Sequence, residues 1–259
     1  MLVHVMHASL QHGDSRSRQR SDLEKIFGRA QDRNVAWVTG TETTHPKLIE
    51  LVNGAAVQNG YRLWSPASTG RPDMKNGSWI AVREDFFAPG SWRQDYQMLV
   101  PSSREVYRKQ GVSPRGRIYW NHKGLVTVSG EHPTLGIINI CTAHYLMRRV
   151  NRQDLNKKIA QGVGDWARVQ GRGRRLCFYH GDQNLPDNKT DTFFGEPMTS
   201  LWDELGRHPN TGHGNIDVIA SYNRDGRVTG AYCRALNDTR FHLHTDHFLV
   251  EGGFEIKEL

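Results

Sequence analysis

The chain has 259 residues, enough to bury a large core without disulfide or metal staples. Only 37% of them are hydrophobic, and no run approaches the ~18 apolar residues of a membrane-spanning helix, so no membrane partner is expected and the aromatic residues must carry much of the core. The formal net charge of +7 and the pI of about 9.4 favour a polyanionic partner such as nucleic acid, because each phosphate neutralised by Lys or Arg releases counterions.

Three cysteines, Cys141, Cys177 and Cys233, are far apart and lack zinc spacing. With no basic n-region ahead of a long apolar run in Met1–Met6, they point to a reducing compartment, the cytoplasm. In chain order, Leu2–Leu10 reads as a first strand. Ser21-Asp22-Leu23-Glu24 has a capping-box pattern and opens a helix to about Arg33, with Leu23, Ile26, Phe27 and Ala30 on one face. Val35–Thr39 is a short buried strand running into Gly40-Thr41-Glu42-Thr43. Pro46–Gln58 is a helix with Leu48, Leu51, Val52 and Ala55 as its apolar face, stopped by Asn59-Gly60. Tyr61–Trp64 and Ser78–Val82 are strands on either side of a Pro/Gly/Ser loop.

Gln97–Val100, Arg117–Trp120 and Gly124–Ser129 read as further strands. Between the first two, Pro101–Gly116 is basic, and with Arg104, Arg108, Lys109, Arg115 and Arg117 it reads either as a solvated loop or as a segment that tracks a phosphate backbone. Leu135–Cys141 is the most apolar strand and leads into Thr142-Ala143-His144-Tyr145. Asn151–Val169 is a long helix, and Leu176–Tyr179 is a buried strand that runs into His180-Gly181-Asp182-Gln183-Asn184. Glu196–Leu205 reads as a short helix. Asn215–Ser221 and Arg227–Arg234 read as a strand pair joined at Asp225-Gly226. Strands predominate with helices interspersed, which predicts a two-sheet core with flanking helices.

Polar clusters end the apolar strands: Glu42, His144, Asp182 with Asn184, Asp217, and Asp246 with His247. Neighbouring strand residues face opposite sides, so Asp246 and His247 can serve one site only at a strand mouth. Carboxylates and amide oxygens are hard donors that suit Mg²⁺ or Mn²⁺. A histidine beside a carboxylate serves acid/base chemistry or holds a phosphate.

Taken together, a Glu after the second strand, Thr142-Ala143-His144, Gly181-Asp182-Gln183-Asn184, Ile216-Asp217 and Thr245-Asp246-His247 resemble, in order, the motifs of the endonuclease/exonuclease/phosphatase superfamily, from about residue 3 to residue 254. The resemblance implies an α+β, four-layer α/β/β/α sandwich, with two mainly antiparallel sheets face to face and residues 1–259 as a single domain. It implies that Glu42 and Asp246 bind a divalent cation, Mg²⁺ or Mn²⁺. His144 then lies near the scissile phosphate, Asp182 positions or activates the attacking water, and Asn184 helps hold phosphate or metal. His247 is the terminal histidine, a general base or a protonated phosphate clamp, and Asp217 pairs with it. One position departs: the family's first strand ends in Asn, whereas Met6-His7-Ala8-Ser9-Leu10-Gln11 has none, and Ser9 or His7 are the favoured replacements.

The expected function is a metal-dependent phosphodiesterase that cuts nucleic acid, DNA before RNA, with no obligate protein partner. Two alternatives stay open: a phosphatase or phosphodiesterase for a small or lipid phosphoester, and a catalytically impaired nucleic-acid-binding homologue.

Overall fold

The computed structural model describes residues 1–10, 16–43, 46–69, 76–100, 122–146, 153–184, 198–206, 211, 217–222, 225–236, 241, 243–245 and 247–259. Among these residues, the strands form two six-stranded sheets. The first runs, edge to edge, Val228–Leu236 (β11), Leu249–Ile256 (β12), Leu2–Ser9 (β1), Trp37–Thr41 (β2), Trp79–Arg83 (β4) and Tyr61–Trp64 (β3). The second runs Arg93–Val100 (β5), Lys123–His132 (β6), Gly136–His144 (β7), Leu176–Asp182 (β8), Asp217–Tyr222 (β10) and Met198–Ser200 (β9). Each sheet has one parallel pair, β1 with β2 and β7 with β8, and is otherwise antiparallel. A parallel pair needs a long crossover, and each crossover carries a helix: Arg16–Asp32 (α1) follows β1 and Gln153–Gln170 (α3) follows β7.

α1 and Pro46–Gln58 (α2) cover the outer face of the first sheet, where Leu23, Ile26, Phe27, Ile49, Val52 and Ala56 pack with Met6, Val38, Tyr61 and Trp79. α3 turns Ile159, Ala160, Val163 and Ala167 toward the second sheet. Between the sheets, alternate residues interdigitate. Val3 and Val5 of β1 point inward while Met6 and Ala8 point to the helices. The inner layer centres on Trp37, Phe178 and Phe254, with ring centroids 5.0 Å apart for the first pair and 4.8 Å for the second. Burying each such ring stabilises the fold by about 1.5–3 kcal/mol. This is the four-layer sandwich the motif order implied. No described helix is long and apolar enough to cross a membrane.

Several local expectations differ. α1 begins by Arg16, so Ser21-Asp22-Leu23-Glu24 lies inside the helix instead of capping it. The buried face continues back to Gln19, and Asp22 is committed elsewhere, accepting from the backbone N and Nδ1 of His244. The buried face of α2 centres on Ile49, Val52 and Ala56, turned from the expected stripe. The helix expected over Glu196–Leu205 is instead the edge strand β9 and a single turn, Leu201–Glu204, capped by Ser200. β10 and β11 are not a hairpin: β10 pairs with β8 and β9, while β11 pairs with β12 in the other sheet, so Asp225-Gly226 links two sheets. β5, β6, β7 and β8 all run longer than expected, which makes His144 and Asp182 the last residues of their strands. The strand expected at Arg117–Trp120 lies outside the described residues.

Candidate active site

The two parallel pairs place the C-terminal ends of β1, β2, β7 and β8 at one end of the sandwich. β7 and β8 are in register with His144 opposite Asp182, and β10 starts there too, with Asp217 opposite Asp182 in the antiparallel register. Strand ends that converge this way are where polar groups gather around a site on a rigid scaffold.

Glu42 follows β2 directly with φ +66°, and Asn184 stands two residues past β8 with φ +48°. Neither is glycine, so both backbones are in a region that costs energy to hold. Asn184 repays this with contacts. Its backbone N donates to Asp182 Oδ1 at 2.9 Å, and its Nδ2 donates to Tyr145 O at 3.2 Å and lies 3.0 Å from His144 Nε2. His144 is the hub: its Nε2 lies 3.6 Å from Glu42 Oε1 and 3.5 Å from Asp182 Oδ2.

A second knot adjoins it. His247 Nδ1 lies 2.8 Å from Asp217 Oδ2, and His247 Nε2 lies 3.9 Å from Asp182 Oδ2. Burial works against a charged His247, but the charge and hydrogen bond of Asp217, with Asp182 and Glu42 adding, outweigh it and raise its pKa to about 11. Asp217 moves the opposite way: burial alone would raise its carboxyl, and His247 and His7 pull it below the usual carboxylate range. Asp182 is pushed up to about 6, mainly by burial; the Asp217 charge adds to this, and His247 opposes it. The neighbourhood therefore separates two carboxyls, one firmly ionised and one poised near neutrality, beside an imidazolium.

The described residues just before β12 are held by individual hydrogen bonds. Asp22 of α1 accepts from His244, Thr245 Oγ1 donates to Ser9 O at 2.9 Å, His247 N donates to Thr245 Oγ1 at 3.2 Å, and Phe248 N donates to Thr211 O at 2.8 Å. Asp246 lies outside the described residues, as do Arg104, Arg108, Arg115 and Arg117. At the departing first-strand position, Ser9 Oγ accepts from Thr41 Oγ1 at 3.0 Å, whereas His7 faces Asp217, with His7 Nε2 3.6 Å from Asp217 Oδ1.

Sequence reasoning missed Lys123, whose Nζ lies 2.9 Å from His144 Nδ1. Burial lowers its pKa to about 8, against the pull of Glu42 and Asp182. The available signal was a lone lysine opening an apolar strand. Asp22 was also missed as a support; its signal was an acid on the apolar stripe of α1.

The donor set fits a divalent cation at Glu42, His144 and Asp182, whose ligand atoms all lie within 4.8 Å of one another. Among the described residues, Asp182 Oδ2 is buried there without a hydrogen-bond partner, a costly state that a nearby cation or a bound water relieves. Asp182, Asp217 and His247 form another such group, but Asp217 Oδ2 already pairs with His247, which leaves this second group less to offer a cation.

No family model and no curated protein sequence matches the chain. Solved structures do. TDP2 of D. rerio, complexed with a single-strand DNA product, superposes with TM-score 0.69 at 13% identity over 98% of both chains. An endonuclease/exonuclease/phosphatase protein from Bacteroides vulgatus gives 0.70 at 13% identity over 99% of this chain and 100% of that one. A mannosyl-6-phosphatase from Bacteroides thetaiotaomicron gives 0.68 at 15% identity over 97% and 99%. At such identities the likeness concerns the fold, and the chain has the fold of the endonuclease/exonuclease/phosphatase superfamily.

Proposed function

We propose that the chain, acting over residues 1–259 as one unit, is a divalent-cation-dependent phosphoester hydrolase, and more specifically a phosphodiesterase that cuts nucleic acid, DNA before RNA. The observation that carries this is the meeting of Glu42, His144, Asp182, Asn184, Asp217 and His247 at one end of both sheets, with an imidazolium beside a carboxyl poised near neutrality.

The roles follow from charge. His247, protonated across the physiological range, binds a non-bridging phosphoryl oxygen and strengthens that bond as charge develops. Asp182 is then the proton acceptor for the attacking water, since its carboxyl near pH 6 is ionised at neutrality yet still basic. Asn184 fixes Asp182 through its backbone N and offers its amide to the phosphate. Asp217 holds the His247 ring in one tautomer and keeps it charged. Lys123 adds a second cation beside His144. Glu42, with Asp246 and beside His144, would hold the metal, leaving Asp182 for the water; when bound, the metal would neutralise phosphoryl charge and ease departure of the leaving oxygen.

The nucleic-acid reading is supported by the +7 charge and by the arginines at 104, 108, 115 and 117. A sugar-phosphate substrate is the competing reading, favoured by the likeness to a mannosyl-6-phosphatase. The purified protein is assayed with Mg²⁺ or Mn²⁺ on single- and double-stranded DNA, RNA and hexose 6-phosphates. Metal-dependent cleavage of DNA that is lost in Asp182→Ala and His247→Ala is expected. Turnover of the sugar phosphates alone moves the assignment to the phosphatase, and salt-sensitive DNA binding without hydrolysis of any substrate moves it to an impaired homologue.

A further inference from the structure

β1 sends Val3, Val5 and then His7 toward the opposite sheet, because every second residue of a strand faces the same way. His7 thus ends an apolar row and is fully buried. Its Nδ1 is 2.8 Å from Thr39 Oγ1, on the neighbouring strand in register with it. That contact fixes the ring plane and aims Nε2 at Asp217 Oδ1, 3.6 Å away across the sheet interface. His7 Nε2 and Asp217 Oδ1 are both buried, and among the described residues neither has a hydrogen-bond partner; what they have is this ion-pair distance to each other. Leaving each unsatisfied costs about 1–3 kcal/mol. The gap is too short for a bridging water, so among the described residues the two atoms are left to face each other.

The protons are consistent with this pairing. Nε2 attracts the carboxylate when it carries a hydrogen, and Thr39 Oγ1, which either donates to Nδ1 or, while donating to Met6 O at 3.4 Å, accepts from it, holds the ring at Nδ1 in both cases. His180, the next buried histidine, does not compete: its Nε2 accepts from Trp37 Nε1 at 3.2 Å, and burial pushes its pKa well down, keeping it uncharged.

Asp217 thus sits between two imidazoles, Oδ2 on His247 and Oδ1 toward His7. A carboxylate held at one oxygen still swings about its last torsion; held at both, it is fixed in plane, and so is the ring it carries. We propose that His7 is a positioning residue which, tethered by Thr39, braces Asp217 from the first strand and so sets the orientation of the His247 imidazole at the phosphate. This assigns the first-strand histidine to the support of the terminal histidine instead of to the metal. The catalytic half of the proposal rests on the hydrolase reading above, and the structural half does not.

The test uses the full chain with ¹⁵N-labelled histidine. The His247 Nδ1–H resonance, assigned by its loss in His247→Gln, is recorded for wild type, His7→Leu and His7→Gln, alongside kcat and KM. His7→Leu keeps the buried volume and loses the donor; His7→Gln keeps a donor within reach of Asp217. The expected result is that the resonance moves or broadens beyond detection in His7→Leu and returns in His7→Gln. A support one step removed from the reacting group is typically worth about 10–100-fold, so kcat should fall by that much in His7→Leu with KM within about twofold, and recover to within about threefold in His7→Gln. An unchanged resonance and kcat in His7→Leu overturns the proposal, as does an equal loss in both variants, which marks a packing role. If His7→Leu does not fold, Thr39→Val, which frees Nδ1, carries the test, and an unchanged His247 resonance there overturns the bracing. If wild type hydrolyses no phosphoester while the resonance still responds to His7→Leu, the hydrolase reading falls and the bracing stands.

Discussion

Replacing Asp217 by Asn removes the charge beneath His247 and keeps its shape. In the native protein the two side chains are 2.8 Å apart and 1% and 5% exposed. An amide oxygen still accepts from Nδ1, so the hydrogen bond survives and the ion pair does not. Two unit charges about 4 Å apart at an effective dielectric near 20 attract by about 4 kcal/mol, worth about three pKa units. From about 11, the imidazolium then titrates around pH 8. On the proposed mechanism activity needs the protonated form, so the ratio of variant to wild-type kcat falls as pH rises through that value. Losing one preorganised contact to the phosphoryl group costs about 3 kcal/mol, which caps the loss, and the fraction still protonated sets it below that cap: about a tenfold deficit at pH 9, against almost none at pH 6. Stability runs the other way. A His raised above its unfolded 6.5 stabilises the fold fully below that pH and loses this as pH rises toward 11, and an Asp depressed below 3.8 stabilises above that pH. The Tm deficit of the variant is therefore largest between about pH 4 and 8 and narrows at pH 9, because both proteins lose His247 stabilisation equally until the variant's imidazolium titrates. The assay is kcat and KM on a chromogenic phosphodiester from pH 5.5 to 9.5 with saturating Mg²⁺, with melting curves at pH 5.5 and 9. A pH-independent kcat ratio, or a Tm deficit that grows toward pH 9, refutes the reasoning.

Asp182→Asn should abolish turnover by at least about a hundredfold. In metal-free protein it should also raise Tm at pH 7, because the roughly two-unit rise of that carboxyl means its charge costs the fold about 3 kcal/mol above pH 6 and nothing below about 3.8; a lowered Tm at pH 7 counts against this. Wild-type kcat/KM should decline above about pH 8 as Lys123 loses its proton, and Lys123→Met should remove that decline and lower the plateau by about tenfold or more. EDTA should stop turnover, with Mg²⁺ or Mn²⁺ restoring it, while circular dichroism stays unchanged, because the core is built without the cation. Gly40→Ala should destabilise the protein by about 1–3 kcal/mol or more in chemical denaturation, since the added Cβ lands inside the indole of fully buried Trp79.

Much of the fold was legible because the core strands are apolar runs bounded by turn residues. Leu176–Tyr179 and Leu135–Cys141 are such runs, and both are inner strands of their sheet. Asn59-Gly60 ended α2 as read, with Gly60 taking φ +77°. Failures came where long-range pairing overrode a local pattern. Ser21–Glu24 satisfies a capping box, yet α1 continues back through it because Gln19 and Asp22 are buried on the same face as Leu23 and Ile26. Met198–Ser200 became an edge strand through pairing with β10, which no local propensity could signal.

By itself, the sequence determined the order of chemistry along the chain: an acid or histidine at the end of each apolar strand, since apolar alternation and its interruption are local. It could not decide distances between strands. The register that sets His144 opposite Asp182, and Asp182 opposite Asp217, depends on contacts tens of residues apart. Only those contacts bring Lys123 to His144, Asp22 to His244 and His7 to Asp217. The pKa values follow the same rule. An Asp, a His and a Lys are ordinary in the sequence and become a poised carboxyl, an imidazolium and a depressed ammonium because tertiary packing removes water and sets which charges face each other.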